Sequence, residues 1–110
     1  MSDLVQKKCM PCVKGSSPLK GAALSVYREQ LPEGWQIVQE MRLEKEYQFK
    51  NFKEALYFAN RIGAIAEEEG HHPDLFISWG KVKIVYFTHA IQGLSESDFI
   101  MAAKSEACYV

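Results

Sequence analysis

Apolar residues fall on every second position in two separate stretches of this chain, and one helix-patterned stretch lies between them. In GWQIVQE (34–40), Trp35, Ile37 and Gln39 alternate with Gln36 and Val38. In MRLEKEYQFK (41–50), Met41, Leu43, Tyr47 and Phe49 share one parity, while Arg42, Glu44, Glu46 and Gln48 share the other. A period of two with one polar side predicts an antiparallel hairpin covered on one face. Lys45 interrupts the apolar parity and is expected near an edge. LFISW (75–79) and VKIVYFTH (82–89) predict a second hairpin, turning at Gly80-Lys81. The stretch between the hairpins, NFKEALYFANRIGAIAEEEG (51–70), predicts a long helix. Asn51 is a good N-cap, and Glu54 three residues later makes a capping-box-like pair. Phe52, Ala55, Leu56, Ala59, Ile62 and Ala66 form the expected core stripe. Gly70 is the natural stop. Glu67, Glu68 and Glu69 oppose the helix dipole at that end, so one of them is expected to have another task. Solvated surface is the plain reading of Glu68 and Glu69.

The flanks complete the pattern. LKGAALSVYREQL (19–31) places Leu24, Tyr27, Arg28 and Leu31 at helical spacing and ends before Pro32. SESDFIMAAKSEA (95–107) predicts a last helix, with Ser95 and Asp98 as its capping box and Leu94 and Phe99 as a hydrophobic staple. The order α-β-β-α-β-β-α predicts an α+β, two-layer fold: a four-stranded antiparallel sheet with helices on one face. Residues 1–18 read as a polar N-terminal arm, mobile or loosely packed, and residues 19–110 as a single domain. The arm carries Cys9-Met-Pro-Cys12, a lone CxxC. A structural zinc site needs four ligands and no second pair is present, so weak metal binding is the most this motif suggests. With 13 basic and 14 acidic residues the net charge is −1, and no basic stripe stands out. That argues against direct nucleic-acid binding. No segment has the length and apolarity of a signal peptide or a membrane span, so the expected location is cytoplasmic, with reduced cysteines.

The chain has three histidines. His71 and His72 are adjacent, at the seam between the long helix and the second hairpin, and His89 ends that hairpin's last strand. A hairpin brings its two outer ends together, so all three imidazoles gather at one end of the sheet. Imidazole titrates near neutral pH, which suits clustered histidines to proton transfer. The plainer alternative is a polar residue after a helix stop and a solvated ring at a strand end. A three-histidine metal site ranks lower, because adjacent residues point apart in the extended backbone favoured before Pro73. Asp98 is the nearest carboxylate; capping the last helix accounts for it, and the alternative is that it caps the helix and still faces the cleft. Glu67 lies one turn before His71, where it either orients an imidazole or binds a polar ligand, or is plain solvated helix surface. Trp79, Tyr86, Phe87 and Phe76 either stack on a flat ligand or, more commonly for strand aromatics, belong to the core.

Spaced along the chain the pattern is Glu67, three residues, His71-His72-Pro73, five residues, Trp79, nine residues, His89, eight residues, Asp98. This resembles the signature of the pterin-4a-carbinolamine dehydratase family. The likeness extends more loosely over about residues 20–104, including YQFKNFKEAL and GLSESD. The resemblance implies a hydro-lyase that converts 4a-hydroxytetrahydropterin to quinonoid dihydropterin and water, serving aromatic amino acid hydroxylases. It implies histidine acid/base catalysis with no metal and no cofactor. His71, His72 and His89 would be catalytic, with His72 and His89 transferring protons and His71 binding or serving as alternative acid. Asp98 and Glu67 would support the imidazoles by orienting them or adjusting their pKa. Pro73, Trp79 and Thr88 would contact the pterin. A homodimer or homotetramer is implied, and the same scaffold in animals also serves as a dimerisation partner for a transcription factor. A binding module is therefore the competing expectation.

Overall fold

The computed structural model describes residues 4–9 and 17–109. Its elements are α1 (Ala22–Glu29), β1 (Gln36–Val38), β2 (Arg42–Gln48), α2 (Phe52–Glu69), β3 (Asp74–Ser78), β4 (Lys81–Tyr86) and α3 (Glu96–Cys108), with short 3-10 turns at Leu4–Gln6 and His89–Ile91. The fold is α+β in the expected element order. The strands form one antiparallel sheet in the order β1-β2-β4-β3.

The period-two reading holds on β2, where Leu43 and Tyr47 are buried. On the opposite face Glu44 pairs with Arg42 at 3.5 Å and Lys83 at 3.3 Å, the wet side the alternation predicts. Lys45 departs from expectation. β2 is an inner strand, and Lys45 turns toward the core side just past the last pair with β1. Its ammonium donates to Glu106 Oε1 of α3 at 2.8 Å and to the Glu33 carbonyl at 2.9 Å. A cation is tolerated there because a carboxylate and a carbonyl meet it. β1 is shorter than the predicted strand, since Gln39 and Glu40 take left-handed backbone (φ 55° and 54°) to turn the hairpin.

Helix α2 has the predicted ends. Asn51 Oδ1 accepts the Glu54 N–H at 2.9 Å, and Gly70 closes the helix at φ 69°, a left-handed conformation that glycine adopts without strain. Replacing Asn51 with Ala is expected to cost about 1 kcal/mol in urea unfolding, with Ser or Asp retaining most of it. The buried stripe is Ala55, Phe58, Ala59, Ile62 and Ala66. Phe52 and Leu56 are 46% and 40% exposed, a correction to the predicted stripe. At roughly 100° per residue, Leu56 stands a quarter turn away from Ala55 and off the buried arc.

The second hairpin turns one residue earlier than predicted, because Ser78 pairs with Lys81 and leaves Trp79-Gly80 as the loop. Gly80 is required there by contact: a Cβ would lie 2.8 Å from the Phe49 carbonyl oxygen, while the Gly80 carbonyl accepts the Phe49 N–H. β4 stops at Tyr86, so His89 opens a 3-10 turn instead of ending a strand. Trp35, Leu43, Ile62, Ile84, Tyr86 and Phe99 are almost wholly buried between the sheet and the helices. Among the described residues, no helix is long and apolar enough to cross a membrane.

Candidate active site

The left-handed turn at Gly70 points the chain from the end of α2 toward α3 and delivers His71. The His71 ring lies with Nε2 2.7 Å from Asp98 Oδ1. Asp98 is the third residue of α3 and is completely buried. Its other oxygen, Oδ2, accepts the Ser95 N–H at 2.9 Å and the Thr88 hydroxyl at 2.6 Å. The capping and functional readings of Asp98 are therefore compatible: one oxygen closes the helix, the other holds an imidazole. Tyr86 stacks on the His71 ring at 6.4 Å between centroids and 18° between planes. The Tyr86 hydroxyl is itself fixed 2.6 Å from Ser105 Oγ, and burial pushes its phenol above the usual value. His71 is thus oriented from its edge and its face, with its side chain 15% exposed.

His72, the next residue, takes a different partner from His71. It points away from Asp98 and hydrogen-bonds through Nε2 to Glu67 of α2. Both of these side chains are exposed. The two adjacent histidines thus face different carboxylates on different helices, which is why the pair cannot readily share one metal. Among the described residues, no group of three or more His, Cys, Asp or Glu is arranged to hold a metal ion. Beside His72 a groove of about 480 Å³ opens between α2 and β3. Asn60, Gly63, Glu67, His72, Pro73 and Leu75 are among its walls. A Cβ at Gly63 would meet nothing within 4 Å, so glycine leaves that wall low. Apolar walls with one carboxylate and one imidazole suit a flat polar heterocycle.

His89 is exposed and directly follows Thr88, and its ring stands edge-on to Phe87 at 4.6 Å. The chain thus brings His89 to the Asp98 neighbourhood through Thr88. Thr88 itself is buried, and its hydroxyl proton is committed to Asp98, so in this structure it supports the carboxylate instead of presenting a donor to a ligand. Trp79 is not brought to the cluster. It is 69% exposed at the hairpin tip, the far end of β3 from His71, roughly 15 Å along the strand. Of the other aromatics, Tyr86 is core and Phe76 is exposed.

Sequence reasoning missed the parts that buttress these groups. Ser95 is the exception, since its place as N-cap was a signal and was read as one. The stacking of Tyr86 on His71 and the Tyr86–Ser105 bond had none. Glu69 was read as solvated surface, but its side chain is 8% exposed, and Oε1 accepts the Cys9 N–H at 2.8 Å. Cys12, with Pro11, Gly15 and Ser16, lies outside the described residues.

Comparison with known proteins follows the same lines. A sequence model of the family described as pterin 4 alpha carbinolamine dehydratase matches residues 17–108. A protein of Alkaliphilus metalliredigens, provisionally named a pterin-4-alpha-carbinolamine dehydratase, is 56% identical over 104 residues, covering 94% of each chain. A protein of Rubrobacter xylanophilus with the same provisional name is 52% identical, covering 94% of this chain and 96% of that one. Among solved structures, a Brucella melitensis protein described as a transcriptional coactivator/pterin dehydratase superposes with a TM-score of 0.79. It is 28% identical, with 86% of this chain and 100% of that chain covered.

Proposed function

Because the chain belongs to the pterin-4-alpha-carbinolamine dehydratase family, we propose that it dehydrates 4a-hydroxytetrahydropterin to quinonoid dihydropterin. The observation that carries this reading is the pair of imidazole–carboxylate contacts on adjacent residues, His71–Asp98 and His72–Glu67, the second of which lines an open groove. In the reaction the C4a–O bond breaks, the hydroxyl takes a proton and leaves as water, and the ring system gives up a proton. The step expels water with no net oxidation or reduction, so two positioned acid–base groups suffice. His72 lies on the wall of the groove and is assigned to proton transfer, with Glu67 fixing its ring. His89, exposed and next to Thr88, is assigned to the second transfer. His71 is the most constrained of the three, and its role is to bind the pterin or serve as the alternative acid. Pro73 keeps His72 extended and forms part of the groove wall. The reading places the chain in the cytoplasm, recycling the pterin of an aromatic amino acid hydroxylase.

Assembly into a homodimer or homotetramer is part of the proposal. Phe76 and Ile77 are exposed on the open edge strand β3, Trp79 in the turn that follows it, and Phe52, Leu56 and Tyr57 on α2. Unpaired edges and apolar patches of this kind favour self-association. A second reading, a protein-binding module, is favoured by the same surfaces and by the description of the Brucella protein as a coactivator.

The test is turnover coupled to a phenylalanine hydroxylase. His72→Ala and His89→Ala are each expected to lower kcat roughly 10²-fold or more with unchanged circular dichroism, since general acid–base groups contribute on this scale. Full turnover by both variants would refute the histidine mechanism.

A further inference from the structure

Residues 4–9 precede the stretch matched by the family's sequence model, yet they are packed. Leu4 is buried in the core cluster, and Lys104 of α3 donates to the Val5 carbonyl at 2.9 Å. The last residue of this segment makes the most telling contacts. The Cys9 N–H donates to Glu69 Oε1 at 2.8 Å, and the Cys9 thiol reaches the Ser97 carbonyl oxygen at 3.7 Å. Glu69 lies two residues before His71, and Ser97 immediately before Asp98. One residue therefore spans the two segments that carry the partners of the His71–Asp98 hydrogen bond.

We propose that Cys9 is a positioning residue for the reaction, tying the C-terminal end of α2 to the N-terminal end of α3 and so setting how His71 meets Asp98. This inference rests on the dehydratase reading above. The electrostatics of the contact agree with this geometry. The contact to Glu69 is charge-assisted and therefore among the stronger kinds. The Cys9 N–H bond, with Lys104 at 3.7 Å and against the cost of burial, holds the Glu69 carboxyl below its usual range. Burial, followed by the Glu69 carboxylate, pushes the Cys9 thiol up to about 11, so the thiol keeps its proton and can donate. The clamp also explains an acidic residue in the last turn of α2, where the helix dipole disfavours one.

A small change in the separation of two helix ends is enough to matter, because reactive geometry is sensitive to displacements below 1 Å. The experiment compares Cys9→Ala, Cys9→Ser and Glu69→Ala in the full chain, with Asn51→Ala as a control that weakens the fold away from the site. The readouts are kcat, KM, the pH profile of kcat/KM, and the His71 imidazole resonances by nuclear magnetic resonance. Cys9→Ala and Glu69→Ala are expected to lower kcat about 10-fold with KM little changed. They should also move a limb of the pH profile and shift the His71 resonances. Cys9→Ser restores most of the loss, because a hydroxyl also donates, and Asn51→Ala changes none of these readouts. If Cys9→Ala and Glu69→Ala leave the His71 resonances and the pH profile unmoved, the proposal is overturned, even where melting temperature falls. If the wild-type chain shows no turnover, the dehydratase reading fails instead, and the His71 resonances alone decide whether the clamp exists.

Discussion

Asp98→Asn is expected to lower kcat for 4a-hydroxytetrahydropterin dehydration roughly 10²–10⁴-fold while leaving the protein folded. The carboxylate serves two sets of partners. Oδ2 accepts the Ser95 N–H and the Thr88 hydroxyl, and Oδ1 faces His71 Nε2. An amide has a single oxygen. If that oxygen keeps the two cap donors, the NH₂ group must face His71. Nε2 then has to act as an acceptor, which places the ring proton on the other nitrogen and reverses the tautomer a carboxylate holds. Helix capping survives, so the stability loss should stay near 1 kcal/mol or below. Steady-state kinetics and thermal melting of the one variant separate these effects. Near-normal turnover would show that Asp98 is a cap and nothing more.

Glu106→Ala is expected to destabilise the fold by about 3 kcal/mol, the largest effect of any single charged residue outside the site. Its Oε1 alone accepts from Trp35 Nε1 at 3.1 Å, from Lys45 Nζ at 2.8 Å and from the Tyr47 hydroxyl. Truncation leaves an ammonium, an indole N–H and a phenol without that acceptor in a largely buried place. Lys45 keeps the Glu33 carbonyl and the face of Tyr47 at 4.7 Å, which limits the loss. Burial works to raise the Glu106 carboxyl, but the bonds from Lys45 and Tyr47 outweigh it and hold the group below its usual range. A depressed carboxyl stabilises the fold fully above the ordinary value of about 4.3, and that contribution is lost as pH falls through the lower, folded-state value. Urea unfolding should therefore show wild-type stability declining on the acid side, with a shallower decline in Glu106→Gln. Glu106 lies roughly 12 Å along α3 from Asp98, so kcat per folded molecule should be unchanged.

The local rules were read correctly where the physics is local. Asn51 and Gly70 bound α2, Ser95 and Asp98 cap α3, and the parity of Leu43 and Tyr47 gives the sheet its dry face. The reading failed where tertiary contacts decide. Lys45 looked like an edge residue because nothing nearby in sequence announces Glu106, 61 residues on. The stripe on α2 was drawn too wide because Phe52 and Leu56 are apolar but sit off the buried arc. At the site, the meeting of His71 with Asp98 follows from hairpin geometry and a helix cap. That His71 and His72 take different partners agrees with the expectation that adjacent residues before Pro73 point apart, but the pairing of His72 with Glu67 in particular was not read. The placing of Trp79 does not follow from spacing alone, since a residue at a hairpin tip is carried away from the strand ends. Glu69 was misread because its partner, Cys9, arrives from 60 residues away.

The central claim is tested most directly by the fate of the carbinolamine itself. A phenylalanine hydroxylase generates 4a-hydroxytetrahydropterin in situ, and its ultraviolet absorbance decay is followed with and without the full chain. The account predicts faster decay that scales with protein concentration. An unchanged decay rate, from protein whose circular dichroism shows it folded, would contradict it.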